Sequence, residues 1–332
     1  MSVAVAKLAP GPGNVGLVER EVAEPGPAYV RLSVLAAGVC GTDLHIEAGE
    51  YPSVPPVTMG HEVCGMVEAL GPGVDSAWAG ERVVSETYYA TCGVCSLCRA
   101  GRPNLCVDRK SIGTHVDGAF NARVVVPARG LHRVPAGLDA PAASMAEPLA
   151  CVCQSLLDPP AIGAGDRVLV LGPGAIGLLA AQVARACGGD VTVQGAARDV
   201  ARLDLARSLD FGVLVAGADE PGGFYDVVVE CSGSEPGIAQ ALEVCRRGGR
   251  LVQIGLRGEP VTVPWDLICF HELTVTSGFA STPASWKRAM ALLEAGTVVT
   301  APLVSEVVPL ERWEHAFRAS RGGDAVKEVL AP

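Results

Sequence analysis

The chain has 332 residues, 49% of them hydrophobic, enough for about two domains with a substantial core, which excludes a disordered protein. A net charge of -10 argues against a nucleic-acid partner, because phosphate backbones select basic faces. The opening MSVAVAKLAPGPGNV lacks a signal peptide's charged start and apolar core, and the longest uncharged apolar stretch, Val168 to Ala184, is interrupted by Gly172-Pro173-Gly174, so no membrane span is expected. A cytoplasmic location is the expectation, and there thiols stay reduced. The twelve cysteines are then metal ligands or small buried apolar residues rather than disulfides.

Residues 1–130 carry short β-like runs, AYVRLSVLAAGVC, GMVEAL, ERVVSETYY and ARVVVPA, separated by turn clusters such as APGPGN and GPGVDS. That is the pattern of a mostly-β domain. Two groups of metal-binding residue types lie within it. GVCGTDLH supplies Cys40, Thr42, Asp43 and His45, and MGHEVCG supplies His61, Glu62 and Cys64. One thiolate, one imidazole and one carboxylate leave a fourth position open, as a catalytic zinc requires. Spacing alone leaves open that Cys40 is a core residue, His61 a satisfied imidazole and Glu62 a surface charge. The second group, Cys92, Cys95, Cys98 and Cys106, offers four thiolates, which saturate a tetrahedral ion and suit a structural zinc. A ferredoxin-type cluster would favour a proline after the last cysteine, and Val107 stands there.

From about residue 165 the pattern changes. Strand-like DRVLVLG, DVTVQG, FYDVVVECSG, GRLVQIG and LTVTSGF alternate with helical GAIGLLAAQVARAC, RDVARLDLARSLD and PGIAQALEVCRRG, which predicts βαβ units and a parallel sheet. Gly172-x-Gly174-x-x-Gly177 follows the first strand and opens the first helix. Gly172 permits a tight turn, Gly174 lets a pyrophosphate approach the backbone, and Gly177 lets helix and strand pack closely. Ala175 and Ile176, inside this turn, are counted with it as cofactor-binding. The second strand ends in Gln194-Gly195, without the carboxylate that binds the ribose hydroxyls of NAD, and Arg198 follows in the loop. This leans towards NADP; the alternatives are that Asp199 folds back to meet the ribose hydroxyls of NAD, or that Arg198 is simply solvated. The tail from SWKRAM onward reads helix, short strand, helix, and need not belong to the parallel-sheet domain.

Cys40-Gly41-Thr42-Asp43-Leu44-His45, Gly60-His61-Glu62, the four-cysteine lobe and the late GxGxxG together resemble the zinc-dependent medium-chain dehydrogenases/reductases, over nearly the whole chain and in the expected order. AEPLACVCQSL, with Glu147-Pro148-Leu149, resembles the polyol (sorbitol or L-iditol) and threonine dehydrogenase branch. The resemblance implies an α/β protein. A GroES-like mostly-β catalytic domain (1–150 plus 286–332) would surround a Rossmann dinucleotide-binding domain (151–285), with the active site between them. It implies two zinc ions per chain and NAD(P). The catalytic zinc would be held by Cys40, His61 and a carboxylate, either Glu62 or Glu147, with Asp43 orienting His61. Ser232, Gly255 and Gly278, at strand ends, would neighbour the cofactor, while Cys64, Cys151 and Cys153 would be packing residues.

The implied reaction is oxidation of a secondary alcohol or polyol to its ketone. Zinc lowers the pKa of the alcohol, and Thr42 passes its proton through the cofactor ribose to His45. Sorbitol-type members carry an Arg-aromatic pair after the last strand and an aromatic after the histidine. Here Phe279-Ala280-Ser281 and Ile46 stand in those places, so a secondary alcohol, a diol or a modified sugar alcohol is the safer substrate class. Thr114-His115 lies where such families shape the pocket. L-Threonine 3-dehydrogenase-like oxidation and a non-catalytic nucleotide-binding relative are the alternatives. A homo-oligomer, tetramer or dimer, is the family habit.

Overall fold

A computed structural model of the chain describes every residue except Glu220 and Asp324. Its N-terminal part is built on antiparallel pairing. The strand Tyr29–Gly38 is flanked by Glu62–Leu70, Arg123–Pro127 and, from the far end of the chain, Lys327–Ala331. Val30, Leu32 and Val34 alternate inward along it, the period-2 pattern of a sheet with one face on the core. The strand Val304–Pro309 pairs with Lys327–Ala331, so the tail completes the N-terminal sheet and not the parallel one.

The second sheet has six strands, all parallel, in the order Gly212–Val215, Asp190–Gly195, Arg167–Leu171, Tyr225–Glu230, Cys245–Gln253 and Thr274–Ser277. After Arg167, Val168 to Leu171 is an unbroken apolar run because helices cover both faces of such a sheet; Val168, Leu169 and Val170 are fully buried. The order reverses around this strand, which opens the crevice where doubly wound sheets bind ligands. The strand Gly212–Val215 and the strand Lys327–Ala331 are additions to the elements expected from sequence. The segment CRRG, expected at the end of a helix, instead opens the strand Cys245–Gln253.

Two helices join the halves. Ala146–Leu157 and Pro283–Glu294 pack on each other, with Leu149, Val152, Leu156 and Trp286 in one buried cluster. The borders expected at 150/151 and 285/286 both fall inside these helices. The first helix therefore carries Glu147 at its start into the cleft while its later turns pack against the parallel-sheet half.

Candidate active site and metal centres

A cavity of about 300 Å³ lies in the cleft between the two halves. Cys40, Thr42, His61, Thr87, Tyr88 and Glu147 line it from one side, and Ile176, Cys231, Ile254, Gly255, Gly278 and Phe279 from the strand ends of the parallel sheet. Ligating atoms of Cys40, His61 and Glu62 all lie within 4.8 Å of one another.

The local sequence explains that convergence. Cys40 caps the helix Gly41–Ala48 in an extended conformation, and its N–H donates to Asp43 Oδ2 at 3.0 Å. The other oxygen of Asp43 accepts from Gly60 N–H at 3.4 Å and lies 3.8 Å from His61 Nδ1. One fully buried carboxylate thus ties the Cys40 segment to the His61 segment. Burial pushes Asp43 upward, against the pull of His61. Burial also disfavours a charged His61, yet Cys40 and Asp43 outweigh it and hold the imidazole well above its ordinary value.

Glu62 opens the strand Glu62–Leu70 and has no exposed surface, which rules out the alternative that it is a surface charge. Lys327 Nζ donates to both of its carboxylate oxygens at 2.8 Å and to Val39 O at 2.9 Å. Glu147 stands apart from that cluster, facing the cavity. Its Oε1 accepts from the Thr87 hydroxyl at 2.8 Å and from the Cys151 thiol at 3.5 Å, and burial raises its carboxyl above the ordinary range. The donor set of soft thiolate, imidazole and carboxylate is one that zinc accepts with a position left open.

Thr42 lines the cavity beside Cys40, Sγ to Oγ1 3.7 Å. His45 lies outside it, half-buried one turn along the same helix, its Nδ1 2.7 Å from Glu50 Oε2. Thr114 lines the cavity, whereas His115 does not and Ile46 is fully buried. Cys64 and Cys153 are core residues, but Cys151 faces the cavity and is more than packing. His132 stacks on Trp286 with ring centroids 4.9 Å apart, a structural position.

Cys92, Cys95, Cys98 and Cys106 also bring their sulfurs within 4.8 Å of one another. The sulfur separations of 3.5 Å (Cys92–Cys106) and 3.9 Å (Cys92–Cys98) match the ~3.8 Å of two thiolates each ~2.3 Å from one tetrahedral ion. Backbone N–H groups of Cys95 and Cys98 point at the sulfurs of Cys92 and Cys95, each at 3.4 Å. The N–H groups of Cys95 and Val94 draw the Cys92 thiol down to about 6, towards the thiolate a metal needs. These residues fit a closed metal site.

The nucleotide turn has the build its glycines predicted. Gly172 has φ of +97°, and a Cβ on Gly177 would sit 1.8 Å from Gly172 O. Gly174 caps the helix Ala175–Ala186, with open space where its Cβ would be. At the end of the second strand, a Cβ on Gly195 would meet Pro173 Cγ at 2.7 Å and Leu203 Cδ2 at 3.0 Å. Crowding therefore disfavours a side chain at Gly195. Asp199 is buried, accepting from Ala196 N–H at 2.9 Å and from Arg202 at 3.4 Å, so both of its carboxylate oxygens are engaged within its own loop and helix start. Arg198 is exposed and makes no ion pair among the described residues.

Two buried charged residues close to the site escaped the sequence reading. Lys327 is one. The other is Glu230, fully buried at the end of the strand Tyr225–Glu230, where it accepts from the N–H groups of Ser232 (2.8 Å) and Gly233 (3.1 Å) and from Gln253 (2.7 Å). It holds the loop that carries Ser232 against Gly255. A charge closing a run of valines was the available signal.

Residues 26–136 match the alcohol dehydrogenase GroES-like domain and residues 175–295 the zinc-binding dehydrogenase domain. A sorbitol dehydrogenase of Halalkalibacterium halodurans is 38% identical over 99% of both chains. A D-arabitol-phosphate dehydrogenase of Enterococcus avium is 31% identical over 98% of this chain and 96% of its own. The crystal structure of a zinc-binding dehydrogenase from Sinorhizobium meliloti, bound to NADP, superposes with a TM-score of 0.90 at 34% identity, covering 100% of this chain and 99% of that one. The chain belongs to the zinc-dependent medium-chain dehydrogenases/reductases, in their polyol and threonine dehydrogenase branch. It is an alcohol/polyol dehydrogenase, an NAD(P)-linked oxidoreductase of a small-molecule substrate. No helix among the described residues is long and apolar enough to cross a membrane.

Proposed function

We propose that Cys40, His61 and Glu62 hold a catalytic zinc, with Glu147 facing its open position, and that Cys92, Cys95, Cys98 and Cys106 hold a second, structural zinc. The observation that carries this is that the ligating atoms of Cys40, His61 and Glu62 lie within 4.8 Å of one another, with Cys40 and His61 bordering the cavity shared with the strand ends of the parallel sheet. Glu147 lies outside that convergence, which supports Glu62 as the third ligand. A zinc ion at this place supplies Lewis acidity, favouring loss of the alcohol proton and hydride transfer to nicotinamide. Thr42 takes that proton and His45, whose Nδ1 lies 2.7 Å from Glu50 Oε2, delivers it towards solvent. Asp43 fixes the His61 tautomer. Glu147, kept in a buried and hydrogen-bonded pose by Thr87, orients the group at the open position.

NADP is the favoured cofactor. An uncrowded, unpaired Arg198 beside a Gly195 with little room for a side chain suits a 2′-phosphate better than two ribose hydroxyls. Gly172, Gly174, Ala175, Ile176 and Gly177 take the pyrophosphate, and Ser232, Gly255 and Gly278 flank the nicotinamide end. The domain division is 1–150 with 286–332 around 151–285, to be drawn within the two connecting helices. The strand Thr274–Ser277 ends the parallel sheet with Val275, Trp265 and Phe270 exposed nearby, which supports a homo-oligomer formed through this edge. The twelve free thiols suit the cytoplasm.

The test is zinc content and steady-state oxidation of polyols, diols and L-threonine with NAD and NADP. About two zinc per chain with polyol turnover supports this reading. One zinc, confined to the cysteine lobe, or turnover of L-threonine alone, counts against it.

A further inference from the structure

Arg109 is a cation within the cavity that the reaction described above does not use. It comes from the segment just after the cysteine lobe and lies between two aromatic rings, 4.8 Å from the Phe279 ring centre and 5.8 Å from that of Tyr88. Both rings are held in turn. The Tyr88 hydroxyl donates to Ser281 O and accepts from Ser281 N–H at 3.1 Å, and Phe279 O accepts from Asn104 Nδ2 at 2.9 Å. Arg109 spends one donor on Asn104 O, at 3.3 Å. A guanidinium has five N–H donors, and Arg109 has no carboxylate partner among the described residues. The remaining donors are half-exposed and border the cavity, with the hydroxyls of Tyr51, Ser111 and Thr114 lining the same space.

A cation fixed by stacking and left without an anion is a preorganised receptor for one, because little ordering remains to be done when the anion arrives. The cavity therefore has two polar features: the Cys40, His61 and Glu147 group, where the alcohol carbon reacts, and the Arg109 guanidinium. We propose that the substrate is an acidic polyol, bearing a phosphate or carboxylate remote from the carbon oxidised, and that Arg109 binds this group. The proposal rests on the polyol dehydrogenase reading and names the substrate class within it. Planar, bidentate recognition suits both anions, and the cavity is large enough for a short-chain substrate beside the nicotinamide.

The test uses the zinc- and cofactor-loaded enzyme with three probes: a neutral pentitol, a pentitol phosphate and an aldonate. In the wild type, one acidic probe is expected to exceed the neutral pentitol in kcat/KM by about 100-fold, and which acid it is identifies the anion. Arg109→Met, which keeps the apolar stack, is expected to raise KM for that acid about 100-fold while kcat, the neutral pentitol KM and the cofactor KM stay within about threefold. Arg109→Lys restores part of the loss. Neutral pentitol turned over as well as both acids by the wild type overturns the proposal without any variant. So does an Arg109→Met that weakens neutral and acidic probes alike, or that changes only the cofactor KM. Turnover of none of the three would instead strike at the polyol reading itself.

Discussion

Lys327 donates to both carboxylate oxygens of Glu62, at 2.8 Å each, and neither side chain reaches solvent appreciably. The pair joins the last strand of the chain to the first residue of the strand Glu62–Leu70, so a carboxylate of the proposed metal site is held by a residue 265 positions away. An uncompensated buried charge is costly, and Lys327→Met leaves one on Glu62 in the metal-free protein. Urea unfolding of that form is expected to show a loss of about 3–5 kcal/mol. Lys327→Met combined with Glu62→Gln is expected to recover part of it, since both charges are then gone. A single variant as stable as wild type would show that the pair contributes nothing.

Glu62→Gln and Glu147→Gln separate ligand from positioning group. The first is expected to lower the zinc content of the purified enzyme to about one ion per chain, leaving the cysteine lobe loaded. The second is expected to keep both ions while kcat falls about 100-fold. Metal analysis beside steady-state rates distinguishes them, and the reverse pattern would exchange the two roles.

Cys95→Ser removes one thiolate from the lobe. Zinc is expected to fall to about one per chain and Tm to drop, while the folded fraction retains most of its kcat, because no open coordination position is left there for substrate. An unchanged Tm with lost activity would place chemistry in the lobe.

Arg198→Ala tests the cofactor argument. KM for NADP is expected to rise about tenfold or more, the range of a lost charge-assisted hydrogen bond, with KM for NAD unchanged. An unaltered NADP preference would assign Arg198 to solvent.

What the sequence determined was whatever depends on neighbours. The GxGxxG turn follows from glycines a few residues apart, since φ of +97° at Gly172 and the close approach at Gly177 are local requirements. The lobe was legible for the same reason: its four sulfurs lie in one short loop, and backbone N–H groups of that loop point at them. Alternating and unbroken apolar runs separated the antiparallel sheet from the parallel one.

Residues whose meaning depends on distant partners were not legible in this way. Lys327 sits in VKEVL, an unremarked strand, and only sheet pairing brings it to Glu62. Arg109 follows a lobe that drew attention for its cysteines, and Phe279 lies just past a strand in the other half; the ring contact across the cleft makes them one feature. Cys40, His61 and Glu62 stand between these cases. Their types and order suggested a metal, but tertiary structure brought their ligating atoms within 4.8 Å of one another and set Glu147 apart. Local conformation is encoded by nearby sterics and hydrogen bonds, whereas the identity of a third ligand or an anion receptor is fixed by which distant chain segments share a desolvated space.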